Sequence, residues 1–248
     1  MANFDKYYPT LLQHEGTGYH FDPDDPGKHT HTGITYQTFE AVAHELGVVP
    51  LLDSFKELTP EQIKYIYRKH YWDAIQGDLI PSQTFAEFYF DFFVNAGFKA
   101  TKVLQQTINI LRPVYSYTAL KVDGIFGPLT LHAVLDLLGI YITASSLYTA
   151  FVQRRLDYYR DIVRANPRLA KYSNGWGNRV RSFPEKLAES DFIPVEIKKE
   201  MTARQLVIFE TAMLTYMAYQ VERDSDVKVL EQLIKDAVPF AEQLALEL

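Results

Sequence analysis

Apolar residues return every three or four positions along most of this chain, the spacing of one buried face on an α-helix. Phe4, Tyr8, Leu11 and Glu15 form the first stripe, with Gly16 as a stop. Phe39, Val42, Ala43 and Leu46 form a second, closed by Gly47. Thr59-Pro60-Glu61-Gln62 reads as an N-cap, a proline at the first helical position and a capping-box glutamine. Its face continues through Ile63, Ile66, Tyr67 and His70. Phe85, Phe88, Tyr89, Phe92, Phe93 and Ala96 make a broad aromatic stripe ending at Gly97, and Ala100 to Leu111 carries the next. Gly127-Pro128 opens a helix that Gly139 closes, and a longer one is predicted from Ser146 to Arg164. Strand signals are few. Val114 to Val122 is the best candidate, and Gly18 to Thr35 holds turn residues suited to a small hairpin. The pattern predicts a mostly α protein.

Composition narrows the chemistry. The 248 residues suffice for one large or two small domains, and 47% hydrophobic content supports a packed core. Cysteine is absent, which excludes disulfides and thiolate chemistry. The first residues lack the basic and apolar regions of a secretory signal, and no membrane span is expected. The net charge of −6 is uneven: residues 1–94 hold 6 Lys and Arg against 14 Asp and Glu. Residues 95–190 hold 13 against 6, and residues 191–248 hold 6 against 11. A basic middle between acidic flanks implies an anionic partner or mutual docking of the segments.

Glu15 is the residue with most to say. Its place on the first stripe turns it toward the core side at the last helical turn, where desolvation and the negative helix end both favour a neutral carboxyl. A neutral carboxyl can protonate a glycosidic oxygen. The plain alternative is a Glu at an amphipathic edge with its head in water. The loop that follows adds carboxylates and hydroxyls in a short, proline-pinned segment: Asp22-Pro23-Asp24-Asp25-Pro26-Gly27, then Thr30 and Gly33-Ile34-Thr35.

With His14-Glu15-Gly16-Thr17-Gly18-Tyr19 before it, this segment resembles the first motifs of glycoside hydrolase family 108. Matching runs follow in order: Ile66 to Ile75, Phe90 to Gly97 and Val103 to Gln106. Val122 to Thr130, Arg154 to Tyr159 and Asn166 to Val180 are similar to the peptidoglycan-binding module that follows that catalytic region. The resemblance covers roughly residues 4–184. It implies a lysozyme-like N-acetylmuramidase of phage, prophage or secretion-activator type. It implies a helical lysozyme-like fold with a small β-hairpin region and an α-helical C-terminal extension. The implied regions are 1–94 (catalytic), 95–190 (peptidoglycan-binding) and 191–248, an extension to which the sequence assigns no role.

Carried over residue by residue, the catalytic acid falls on Glu15, a supporting carboxylate on Asp25 and the loop threonine on Thr30. The spacing from Glu15 to Asp24 to Thr30 also resembles that of phage-type lysozymes, so Asp24 and Asp25 both stand for the second role. An extra residue between Glu15 and Tyr19, and Lys28 in place of a glycine, depart from the family pattern.

Candidate substrate-binding residues are Tyr19, Tyr71, Trp72, Asn95, Asp123, Trp176 and Arg179. For Tyr71 and Trp72 core packing is the competing reading, and for Trp176 a cap over the core. His14, His20, His29 and His31 lie near acidic residues, but no zincin spacing or calcium-loop pattern is complete, so neither metal nor cofactor is expected. Arg154, Arg155, Arg160, Arg164 and Arg168 make a basic helix face, although an overall pI near 5.7 speaks against nucleic acid. The expected partner is the peptidoglycan glycan strand, at the cell wall or periplasm. The alternative reading is a non-catalytic peptidoglycan-binding or secretion-associated structural protein, with 191–248 as the docking surface for a protein partner.

Overall fold

The structure is a computed structural model that describes residues 1–22, 28–115, 119–139, 141–188 and 191. Helix α1 spans Phe4–Glu15; Asn3 caps it by accepting from the Asp5 N–H, and Gly16 leaves the helix at φ 77°. Three short strands follow, β1 (Tyr19–Phe21), β2 (His29–His31) and β3 (Ile34–Thr35), in an antiparallel sheet of order β1-β2-β3. The expected hairpin is therefore present, with a third strand added. In register, Tyr19 faces His31, and Thr30 lies between His20 and Thr35.

Thr35 caps α2 (Tyr36–Val42), and α3 (Leu52–Lys56) leads to α4 (Pro60–Ile66). The capping box at Thr59 and Gln62 is formed in both directions. Beyond Ile66 the chain widens into a π-helical turn, Tyr67–Trp72. The five-residue interval from Tyr67 to Trp72 does not fit an α-helical face. The wider turn lets both side chains enter the core. His70, predicted on the apolar face, instead meets Glu45 at 3.1 Å near the surface.

Helix α5 (Gln83–Ala96), stopped by Gly97, is buried almost all round. Phe90 packs edge-on against Phe4 of α1, and Phe85, Phe88 and Phe92 meet Phe151. Phe151 belongs to α8 (Tyr141–Ala165), which lies against α6 (Phe98–Tyr115) and α7 (Pro128–Leu138). A 3-10 turn (Pro167–Tyr172) leads into α9 (Ser173–Arg181). One hydrophobic core thus runs from α1 through α5 to α8.

The strand expected over Val114–Val122 does not form among the described residues. Val114 belongs to α6, and residues 116–118 lie outside the described part. Leu120 has no ladder partner because Asn109 takes both its backbone groups: Leu120 N–H donates to Asn109 Oδ1 (2.7 Å) and Asn109 Nδ2 donates to the Leu120 carbonyl (2.8 Å). The α-helical extension expected over 191–248 lies outside the described residues, except for Asp191.

Candidate active site

Glu15 is the last residue of α1, and the turns on either side of the sheet close beneath it. Thr32 N–H donates to the Gly18 carbonyl (2.9 Å), and Gly18 N–H donates to Thr32 Oγ1 (3.1 Å). Gly33, at φ 76°, passes directly under the carboxyl: a Cβ built there would lie 2.3 Å from Glu15 Oε2. Glycine is required twice over, by the left-handed backbone and by the close approach. Tyr67 donates to the Thr32 carbonyl (2.7 Å) and pins this turn from the π-helical side. Burial, then the charge of Glu15, pushes the Tyr67 hydroxyl well above its ordinary pKa, so it stays a donor. Tyr71, one turn on, is raised for the same first reason and also feels Glu15.

The carboxyl is not alone in an apolar pocket, as periodicity had suggested. Arg179 of α9 donates from Nη2 to Glu15 Oε1 at 2.6 Å, with the two side chains 11% and 14% exposed. The same guanidinium donates from Nε to both oxygens of Asp91 (2.9 and 3.0 Å). Asp91, wholly buried in α5, also accepts from Tyr7 (2.8 Å) and from Arg155 Nη2 (2.6 Å). Arg155 lies within 5.0 Å of the Phe88 and Phe92 rings, against which its guanidinium stacks.

A chain of four charges, Glu15–Arg179–Asp91–Arg155, therefore runs from the site into the core. Burial disfavours the Asp91 charge, but the two guanidiniums outweigh it and hold its carboxyl below the usual range. Burial likewise disfavours the Arg179 charge. Asp91 and Glu15 overcome that and keep it protonated, above an ordinary arginine.

Residues 8–97 match the family model for Glycosyl hydrolase 108, and residues 99–181 match that of the Predicted Peptidoglycan domain. The structure of Brucella abortus SagA is similar, with a TM-score of 0.57 at 28% identity, covering 72% of this chain and 90% of that one. No curated protein sequence matches. The protein is thus peptidoglycan-related and lysozyme-like, with a mostly α fold.

The structure brings Glu15 and Tyr71 of the glycosyl hydrolase 108 region together with Arg179 of the peptidoglycan region. Asp24 and Asp25 lie outside the described residues. Thr30 sits mid-strand in β2, and Tyr19 bonds His29 Nδ1 through its hydroxyl (2.6 Å). Trp72 is a correction: it is fully buried, edge-on to Phe90, with its indole N–H donating to Asp78 Oδ1 (2.8 Å), so no sugar can reach its face.

In the peptidoglycan region, Asp123 Oδ1 is occupied by Gln105 Nε2 (3.0 Å) and the Ile125 N–H (2.9 Å), and it shapes the turn before α7. Asn95 accepts from Tyr159 (2.8 Å), and Trp176 stacks on the same Tyr159 ring at 5.0 Å. Trp176 is half-buried and shares a face of α9 with Arg179, three residues on. The basic face loses Arg155, which points inward, while Arg154, Arg160, Arg164 and Arg168 stay at or near the surface.

Asp91 is the residue sequence reasoning passed over. Its signal was present: an aspartate inside the run Phe88-Tyr89-Phe90-Asp91-Phe92-Phe93 has to be paired if that run is buried. A separate cavity of about 450 Å³ opens at the N-terminus between Asn3, Lys64 and Arg68, with no member of the charge chain in its lining.

Proposed function

We propose that the protein is an N-acetylmuramidase that cleaves the β-1,4 bond between N-acetylmuramic acid and N-acetylglucosamine, with Glu15 as general acid. The observation that carries this reading is the partly exposed Glu15 carboxyl, seated over Gly33 at the end of α1 in a glycosyl hydrolase 108 region. The Glu15 proton passes to the O4 leaving oxygen as the C1–O4 bond breaks and its electron pair goes to that oxygen. Water then adds its hydroxyl to C1 and returns its other proton to a carboxylate. That carboxylate is Glu15 in a retaining course, and Asp24 or Asp25 in an inverting one. Residues 99–181 hold the glycan strand, with Trp176 as a ring platform beside the site. No single described helix is long and apolar enough to cross a membrane. The place of action is the cell wall or periplasm, a reading supported by the two family matches.

The test uses purified peptidoglycan, with lysis followed by turbidity and new reducing ends identified by mass spectrometry. Wild type should release muramic acid reducing ends, and Glu15→Gln should release none. Glucosamine ends would refute the bond assignment, and an active Glu15→Gln would refute the role of Glu15. Pull-down on insoluble peptidoglycan without reducing ends would establish wall binding without hydrolysis.

A further inference from the structure

We infer that Arg179, supplied by the peptidoglycan region, is a positioning residue for Glu15, so the hydrolase site is complete only when both regions are folded together. The inference rests on the muramidase reading above and adds to it a division of labour between the two oxygens of one carboxyl. Oε1 is held by Arg179 Nη2 at 2.6 Å. Oε2 lies against Gly33, an exposed turn residue that puts no side chain over it. On this division Oε2, the oxygen not bonded to Arg179, is the one that delivers the proton to the glycosidic oxygen. As it leaves, negative charge grows across the carboxyl and is met at Oε1 by a guanidinium already in place.

The guanidinium cannot drift toward the new charge or away from it, because its other edge is fixed. Nε is bound to both oxygens of Asp91, which Arg155 and Tyr7 hold in turn inside the aromatic core. Arg179 and Glu15 are 164 residues apart and come from the two different matched regions. This is also where the acidic first segment and the basic second one meet: Glu15 and Asp91 on one side, Arg155 and Arg179 on the other. A planar fork that reaches two carboxylates at once is a property of arginine and not of lysine.

The experiment compares full-length wild type, Glu15→Gln, Arg179→Ala and Arg179→Lys for release of reducing ends over a range of peptidoglycan concentrations. Melting curves are recorded for each. In folded Arg179→Ala we expect kcat to fall about 100-fold or more with KM nearly unchanged, since Arg179 faces the carboxyl and not the glycan. Guanidinium ion at low millimolar concentration should restore part of that rate where equal sodium chloride does not, which a purely structural loss would not show.

If Arg179→Ala does not fold, Arg179→Lys decides. Its single ammonium cannot repeat the fork, so kcat falls roughly 10-fold while melting stays near wild type. A near-wild-type kcat in the deciding variant, a loss confined to KM, or no response of Arg179→Ala to guanidinium overturns the inference while leaving the muramidase reading intact. An inactive wild type overturns both.

Discussion

Replacing Asp91 by Asn should be among the most destabilising single changes available in this protein. The carboxylate is wholly buried and receives Tyr7 at 2.8 Å, Arg155 at 2.6 Å and Arg179 through both Nε and Nη2. Asparagine keeps one accepting oxygen but brings an N–H2 group against two guanidiniums. Arg155 then loses its counter-charge while Arg179 keeps Glu15, and Arg155 is entirely inside, with its Nη1 already lacking a hydrogen-bond partner among the described residues. Removing one member of a buried ion pair typically costs about 3–5 kcal/mol. For a folded unit of this size that corresponds to a fall in Tm of roughly 6–20 °C.

Urea unfolding followed by circular dichroism measures the loss, with the slope showing whether the extent of folding has changed. The pH dependence gives a second handle. The folded pKa of Asp91 lies below its ordinary value of 3.8, so its stabilisation is fully present above that value and drains away as the pH falls through the folded one. The gap between wild type and Asp91→Asn should be widest near neutrality and narrow below pH 3.8. A cost under about 1 kcal/mol at pH 7, or a gap that grows toward acid, would refute the account of Asp91 as the hub.

Gly33→Ala should combine left-handed backbone strain with a collision at Glu15 Oε2, costing about 1–3 kcal/mol and most of the lytic rate. Normal activity in a turbidity assay would show that the turn can move away from the carboxyl. Thr59→Ala removes half of the capping box of α4 and should cost about 1 kcal/mol in urea unfolding with lysis unaltered. A change in lysis would mean that α4 is coupled to the site in a way the contacts do not show.

Local patterning alone located most of the helices. The stripe through Phe4, Leu11 and Glu15, the cap at Thr59, the stop at Gly97 and the Gly-Pro start of α7 were legible because each depends on neighbours within one or two turns. The same reasoning failed where the period changed or where a side chain replaced a backbone partner. A π-helical turn drew Trp72 inward, and Asn109 satisfied Leu120 in place of a strand. Sequence also singled out Glu15, through its place in the stripe and the motif around it, and it named Arg179 as a substrate contact.

Only the tertiary structure decided that Arg179 meets Glu15 rather than a free sugar site, and that Asp91 and Arg155 face each other in the core. The physical reason is range. Hydrophobic period records which side of an element is buried, whereas the pairing of buried charges depends on which distant elements pack together. Here α5 does that work, packing against α1 through Phe90 and against α8 through Phe85, Phe88 and Phe92, so that a carboxylate and three partners 84, 64 and 88 residues away share one hydrogen-bonded centre.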